Sequence, residues 1–355
     1  MSNSAVPTAT ILYHFFHPDD VVSARHFSDF GMELAKRGWR VTALARTDVV
    51  VIGSDPQFSQ ILFPIIKRLR PTSKIVYWCY DLFPEAILAD GANPLVRWIA
   101  QKSKKGIKNA YKSLDLMADI GKCMGRHLES YEVQKRRATL TPWALVEPSI
   151  LEAPDPATRH ELFGDSDLAL LYSGNMGKAH DFEIFLKLAR ALAQENPKIT
   201  FCFACRGNRY GELKNAVQPN EFNIRFAPFA EESELEKRLN AADMHLVSLR
   251  PGWEGVVVPS KFFGSMAAGK PVLFAGPKGS SIAQWINEYN LGLVLTEENL
   301  PPIRRQLLEI AKDKSELRVW RENALRAYNE NFSKKKVMDR WDGILRDLLK
   351  RSENA

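Results

Sequence analysis

The feature that most constrains this chain is an alternation that stops once and then resumes. Apolar runs of strand length alternate with segments of helical period. ILYHFF (11–16), VTALA (41–45), DVVVIGS (48–54), KIVYWCYD (74–81) and LDLMADIG (114–121) read as buried strands. A helix is expected over about 23–37, with Ala24, Phe27, Gly31 and Leu34 on one face and Gly38 as its stop signal. FSQILFPIIKRL reads as helical in part, with a kink at Pro64. Residues 142–168 break the rhythm, being rich in Pro, Asp and Glu without a steady period. Strands then return at 168–174, 199–205, 222–229, 243–249, 271–276 and 291–295, and about 299–350 is helical. Strand–helix alternation requires crossover connections, which give parallel sheets covered on both faces. The fold class is therefore α/β. Two doubly wound, Rossmann-like domains are expected in series, facing across a ligand cleft at the carboxyl ends of their strands. The boundaries fall at 1–150, 151–330 and a terminal segment 331–355.

With 355 residues, 45% apolar and 26% charged, the chain is an ordinary globular one, not a disordered or disulfide-framework protein. No uncharged apolar run reaches the ~18 residues of a membrane helix. The amino terminus lacks a basic segment, so a cytoplasmic location is expected, and the four cysteines fit a reducing compartment. The net charge of +7 is unevenly placed. Residues 1–150 hold 20 Lys and Arg against 14 acids, giving +6, which leaves +1 for the remainder. Within 95–112 stand Arg97, Lys102, Lys104, Lys105, Lys108 and Lys112, with no acid. One reading of this helix is peripheral contact with an anionic membrane, and the other is a solvated face. No nucleic-acid motif accompanies the charge, so nucleic acid is not an expected partner.

Two segments carry candidate chemistry. YSGNMGKAHD (172–181) is a strand, a glycine-containing turn and a helix start. Gly174 and Gly177 let the backbone approach a ligand, and exposed amides there suit a diphosphate. The other reading is a tight turn. VVVPSKFFGSMAAGKPVLFAG (256–276) places Pro259 at an expected first helical position, followed by Ser260 and Lys261. A lysine in a first helical turn opposes the helix dipole, and pairing with phosphate gives it a reason to be there. Cys202 and Cys205 have metal-motif spacing, but on a strand they point to opposite faces, so both are expected to be packing residues.

The PSKFFGSMAAGKP segment resembles the donor-site helix of retaining glycosyltransferases of family 4, in their bacterial surface-polysaccharide branch. HFFHPDDVVSARHFSDFGMELAKRGWRVTALA, DVVVIGSDPQFS, YWCYDLFPEAILADG, YSGNMGKAHDFEIFLKLA and CRGNRYGELK resemble other family stretches in the same order. The resemblance covers about 10–345. It implies the GT-B fold, with the terminal helices packing back toward the first domain. It also implies a metal-independent transfer of a sugar from a nucleotide-sugar donor, UDP- or GDP-linked, to a glycan or polyprenyl-linked acceptor, with no cofactor. Gly174, Asn175, Gly177, Pro259, Ser260 and Lys261 would bind the donor, with Arg206 and Asn208 as further donor-binding candidates. The acceptor-binding candidates are His17 and Asp20. The catalytic candidates are Asp81 and Glu85, for hydroxyl binding or proton transfer, and Glu254, near the donor sugar. Helix capping is the alternative for the acids of the first domain. The resemblance has two departures. Gly264 stands where many members carry a ribose-binding glutamate, and the first domain is shortened near 46–47. They leave open a non-catalytic sugar-nucleotide-binding or partner protein, and a sugar-nucleotide epimerase is a third reading of the same architecture.

Overall fold

The computed structural model describes residues 6–12, 22–41, 47–131, 136–148 and 153–353. His17 and Asp20 lie outside the described residues. The chain divides into two compact units. Unit 1 is Met1–Leu145, Gly255–Val258 and Lys334–Ala355, and unit 2 is Val146–Glu254 and Pro259–Ser333. The boundaries differ a little from 150 and 331, and the short piece Gly255–Val258 joins unit 1. There the Leu82 N–H donates to the Val256 carbonyl at 2.9 Å.

Unit 1 is built on one parallel sheet of β1 (Thr8–Leu12), β2 (Arg40–Val41), β3 (Val49–Gly53), β4 (Lys74–Trp78), β5 (Leu116–Asp119) and β6 (Arg136–Thr139). The order is β2-β1-β3-β4-β5-β6. Every residue of β3 is buried, which explains why VVVIG is uninterruptedly apolar. β1 begins earlier than the expected 11–16, and residues 13–16 lie outside the described set. β6 was not foreseen. Its sequence, RRAT, has no apolar run because it is a partly exposed edge strand. Pro64 makes no kink of the expected kind: it occupies the first turn of the helix Leu62–Leu69, where a missing N–H removes no helical bond. Of the expected strand 41–45, residues 42–45 lie outside the described residues, and only seven sequence positions, 42–48, lie between Val41 and the start of β3, fewer than the dozen or so of an ordinary parallel crossover. This is where the sequence departs from its family resemblance. The final helix, Lys334–Glu353, belongs to unit 1. Its Trp341 is fully buried, with ring centroids 5.1 Å from Phe30 and 5.0 Å from Trp78. Asp342 accepts from Trp39 Nε1 at 2.8 Å. Burying a large aromatic ring stabilises by roughly 1.5–3 kcal/mol, so Trp341 anchors this helix.

Unit 2 holds β7 (Leu168–Asn175), β8 (Ile199–Arg206), β9 (Ile224–Phe226), β10 (Met244–Ser248), β11 (Val272–Ala275) and β12 (Gly292–Leu295). They form one parallel sheet in the order β12-β11-β10-β7-β8-β9. Apolar clusters cover both faces. Cys205 belongs to one and Cys202 to the other, as their spacing on β8 requires, and burial pushes both thiols up to about 12. The chain winds one way from β7 through β9 and the other way from β10 through β12. The winding therefore reverses between β7 and β10, and a crevice opens beyond the carboxyl ends of strands at such a reversal.

Candidate functional site

The carboxyl end of β7 is Ser173–Gly174–Asn175. Gly174 has φ +124°, a conformation that side-chain-bearing residues rarely adopt. A Cβ there would stand 2.9 Å from Lys261 Cε, so the bare backbone also makes room for the lysine. Lys261 Nζ donates to the Asn175 carbonyl at 2.6 Å, lies 3.3 Å from His180 Nε2, and sits 5.0 Å above the Tyr172 ring. The turn of β7 and the PSK segment, 86 positions apart, thus meet at the strand reversal.

His180 is oriented from β10. Its Nδ1 is 2.8 Å from the Ser248 carbonyl, which can only accept, so Nδ1 carries the proton and Nε2 offers a lone pair toward Lys261. Burial, then the nearby Lys261 charge, lowers the His180 pKa to about 3, which keeps the ring neutral. Burial also lowers Lys261 to about 7. Its partners are a carbonyl, an imidazole and an aromatic face, and none carries the negative charge that a desolvated ammonium favours. The Asp181 N–H donates to Ser248 Oγ at 3.1 Å, and Asp181 Oδ1 accepts from the Glu183 N–H at 2.9 Å, opening the helix Glu183–Ala193.

The turn after β8 locks against the turn after β7. The Met176 N–H donates to the Arg206 carbonyl at 2.6 Å, and the Arg209 N–H donates to the Met176 carbonyl at 3.1 Å. Gly207, with φ +119°, permits this approach, since a Cβ would come within 2.8 Å of the Met176 carbonyl oxygen. Arg209 braces the site from behind: Nη1 donates to the His180 carbonyl at 2.7 Å, and the guanidinium lies 4.7 Å from the Phe182 ring.

Several expected residues stand elsewhere or do other work. The helix starts at Lys261, not at Pro259, and Ser260 is its cap residue without a side-chain capping bond. The Phe262 and Phe263 N–H groups turn back to the carbonyls of Pro259 and Ser260 at 3.2 and 3.1 Å. The Phe262 and Phe263 amides are therefore not directed at a ligand. Gly177 is half-buried, its carbonyl accepting from the His180 N–H at 3.0 Å. Arg206 is exposed, with its guanidinium 4.1 Å from the Phe229 ring, and Asn208 is exposed beside it. Glu254 Oε2 accepts from the Gly252 N–H at 2.8 Å, stabilising its own loop. Next to Gly264 there is open space, so a side chain fits there.

In unit 1, Asp81 follows β4 and keeps solvent access. Surrounding protein, then the Asp55 carboxylate, pushes its pKa up to about 6. Ser54 Oγ, beyond β3, accepts from the Tyr80 and Asp81 N–H groups at 3.2 and 3.1 Å, fixing this turn. Glu85 does not share that setting. It is only 7% exposed, and Oε1 accepts from Tyr131 Oη at 2.7 Å and pairs with Lys104 Nζ at 2.9 Å. These contacts engage Oε1, while Oε2 is buried without a hydrogen-bond partner among the described residues. Among the described residues, no cluster of three His, Cys, Asp or Glu side chains could hold a metal ion, and no helix is long and apolar enough to cross a membrane.

No family model matches the chain. In sequence it is 26% identical over 320 residues to the probable glycosyltransferase WbjE of Pseudomonas aeruginosa, covering 88% of this chain and 78% of that one. It is 25% identical over 191 residues to the putative colanic acid biosynthesis glycosyl transferase WcaI of Escherichia coli, covering 50% and 46%. Among solved structures it matches sucrose-phosphate synthase from Thermosynechococcus elongatus, with a TM-score of 0.69, 12% identity and coverage of 98% and 100%. It also matches Anabaena HepE in complex with UDP, with a TM-score of 0.69, 10% identity and coverage of 96% and 100%. The chain has the GT-B fold and is akin to glycosyltransferases.

Sequence reasoning left His180, Tyr172, Ser248 and Gly207 out of the site. His180 stands inside the quoted turn segment. Tyr172 opens the same segment, and Ser248 carries no local signal, because its role arises from strand adjacency.

Proposed function

We propose that this GT-B protein is a retaining glycosyltransferase of family 4 type. It would transfer a sugar from a UDP- or GDP-linked donor to a glycan or polyprenyl-linked acceptor of a surface polysaccharide, at the cytoplasmic face of a membrane. The observation that carries this reading is the meeting of Lys261, His180 Nε2 and the Asn175 turn at the strand reversal of unit 2. That HepE, of the same fold, forms a complex with UDP supports a nucleotide ligand for this chain.

In this mechanism Lys261 leaves the Asn175 carbonyl for a diphosphate oxygen. His180 keeps the ammonium aimed without competing for its proton, since its own pKa is far lower. The bond from the anomeric carbon to the β-phosphate oxygen breaks and the nucleoside diphosphate leaves with the electron pair. Lys261 stabilises the charge that grows on it, the kind of preorganised electrostatic help that lowers such barriers most. The acceptor oxygen bonds to the anomeric carbon on the face just vacated, and its proton passes to the departing phosphate. Asp81 is the acceptor-side carboxylate, while Glu85 and Glu254 hold structure. The charge on the leaving group is met by protein groups, with no cofactor and no resident metal.

The test is turnover. Purified protein is incubated with UDP- and GDP-sugars and a lipid-linked acceptor, and nucleoside diphosphate release and product anomeric configuration are read. Retained configuration, with release abolished in Lys261→Ala, is expected. Gly264 favours one rival, a non-catalytic sugar-nucleotide-binding protein, and binding without release or transfer would establish that instead.

A further inference from the structure

Fourteen large apolar side chains are substantially exposed among the described residues, and eight of them lie on two neighbouring segments of unit 1. The first segment is the single turn Ser59–Ile61 with the helix Leu62–Leu69, which exposes Ile61, Leu62, Ile65 and Leu69 by 39–72%. The second is the helix Pro94–Tyr111, which packs against the first and exposes Leu95, Val96, Trp98 and Ile99 by 38–67%. The second helix has two distinct faces. Ala100, Ile107, Ala110 and Tyr111 are buried inward, while Leu95, Trp98, Ile99 and Lys102 follow one another outward at helical spacing.

Charge on these segments has one sign. Residues 59–71 and 92–112 contain nine Lys and Arg and no acid. Two of the nine are committed inward, Lys67 to Asp115 at 2.9 Å and Lys104 to Glu85 at 2.9 Å. Arg68, Arg97, Lys102, Lys105 and Lys112 are exposed. Lys102 Nζ lies 5.9 Å from the Trp98 ring, so a cation is held beside an exposed indole. An apolar patch ringed by cations, with tryptophan at its edge, suits the boundary between acyl chains and anionic headgroups. A second copy of the same patch would instead bring like charges together.

We infer that the paired helices Leu62–Leu69 and Pro94–Tyr111 dock peripherally on an anionic bilayer. The apolar side chains enter the acyl boundary, and Arg68, Arg97, Lys102 and Lys105 meet the headgroups. This inference names the membrane-facing surface. It rests on unit 1 alone and does not depend on the sugar-transfer reading.

The experiment is co-sedimentation of the full chain with vesicles of phosphatidylglycerol and phosphatidylcholine, and with phosphatidylcholine alone, at low and high salt, without donor. The wild-type chain is expected to bind the anionic vesicles at least 10-fold more tightly, and less so at high salt. The triple variant Arg97→Glu, Lys102→Glu and Lys105→Glu should lose about 100-fold in affinity, taking a typical surface contribution for each charge. Leu95→Ser with Trp98→Ser should also release the protein, and Trp98 fluorescence in the wild type should shift to the blue on binding. All these side chains are exposed, and circular dichroism confirms that the variants fold. Wild-type protein left in the supernatant overturns the inference. So does equal binding by either variant, or a dimer in sedimentation that the Trp98 variant abolishes.

Discussion

The lowered pKa of Lys261 makes donor binding depend on pH in a way that other diphosphate contacts would not. An ammonium that pairs with a diphosphate must be protonated in the complex. In the free protein it is half deprotonated near pH 7. Below about pH 6 the proton is already present and affinity should be flat on this account. Above pH 7 binding must take up a proton, so the dissociation constant should rise by up to 10-fold per pH unit, or about 1.4 kcal/mol. The rise must end once the charged hydrogen bond is wholly lost, at roughly 1.5–3 kcal/mol, which is ~10- to 150-fold. Calorimetric titration of UDP or GDP between pH 6 and 9.5, in buffers of different ionisation enthalpy, measures both the constant and the proton uptake. Lys261→Arg, whose guanidinium stays charged, should bind with a flat profile over this range. A wild-type profile as flat as that of the arginine variant, with no proton uptake at pH 8, would refute the reasoning.

Three further outcomes follow from the geometry. Gly207→Ala forces a side chain against the Met176 carbonyl at a φ of +119°, and should cost about 2–3 kcal/mol in denaturant unfolding and weaken donor binding by unlacing the two turns. Gly264→Ala meets open space within a helix, so it should raise stability by about 0.5–1 kcal/mol without changing donor affinity. Asp81→Asn should lower kcat strongly and remove an acid limb near pH 6 from kcat/KM, whereas Glu85→Gln, which weakens the bonds of a buried carboxylate to Tyr131 and the half-exposed Lys104, should lower stability by about 1–3 kcal/mol and leave that limb in place.

The sequence made the α/β architecture readable because both sheets are parallel and buried, and such strands must be continuously apolar. VVVIG and LALLY could hardly be anything else. The edge strand Arg136–Thr139 was invisible for the opposite reason, since nothing on it needs to be apolar. At the site, the glycines of the Asn175 turn and Lys261 were legible because each breaks a local preference: a glycine in a strand end, and a cation at a helix start. The engagement of the Phe262 and Phe263 amides by Pro259 and Ser260 was not legible, because it depends on how that turn closes. His180 and Ser248 were missed because their pairing is created by β10 lying beside β7. Glu85 looked like a second catalytic acid because it and Asp81 both follow the buried strand that ends in YWCY. Only the packing of Tyr131 and Lys104 around it shows that it is enclosed.

The central claim is that the strand reversal of unit 2 grips a diphosphate through Lys261. The most direct measurement is a paired titration at pH 6.5 of the nucleoside diphosphate that binds and of its parent nucleoside, into wild-type protein and Lys261→Ala. The account predicts that the variant loses about 1.5–3 kcal/mol toward the diphosphate and nothing toward the nucleoside. Equal diphosphate affinity in the two proteins, or an equal loss for both ligands, would contradict it.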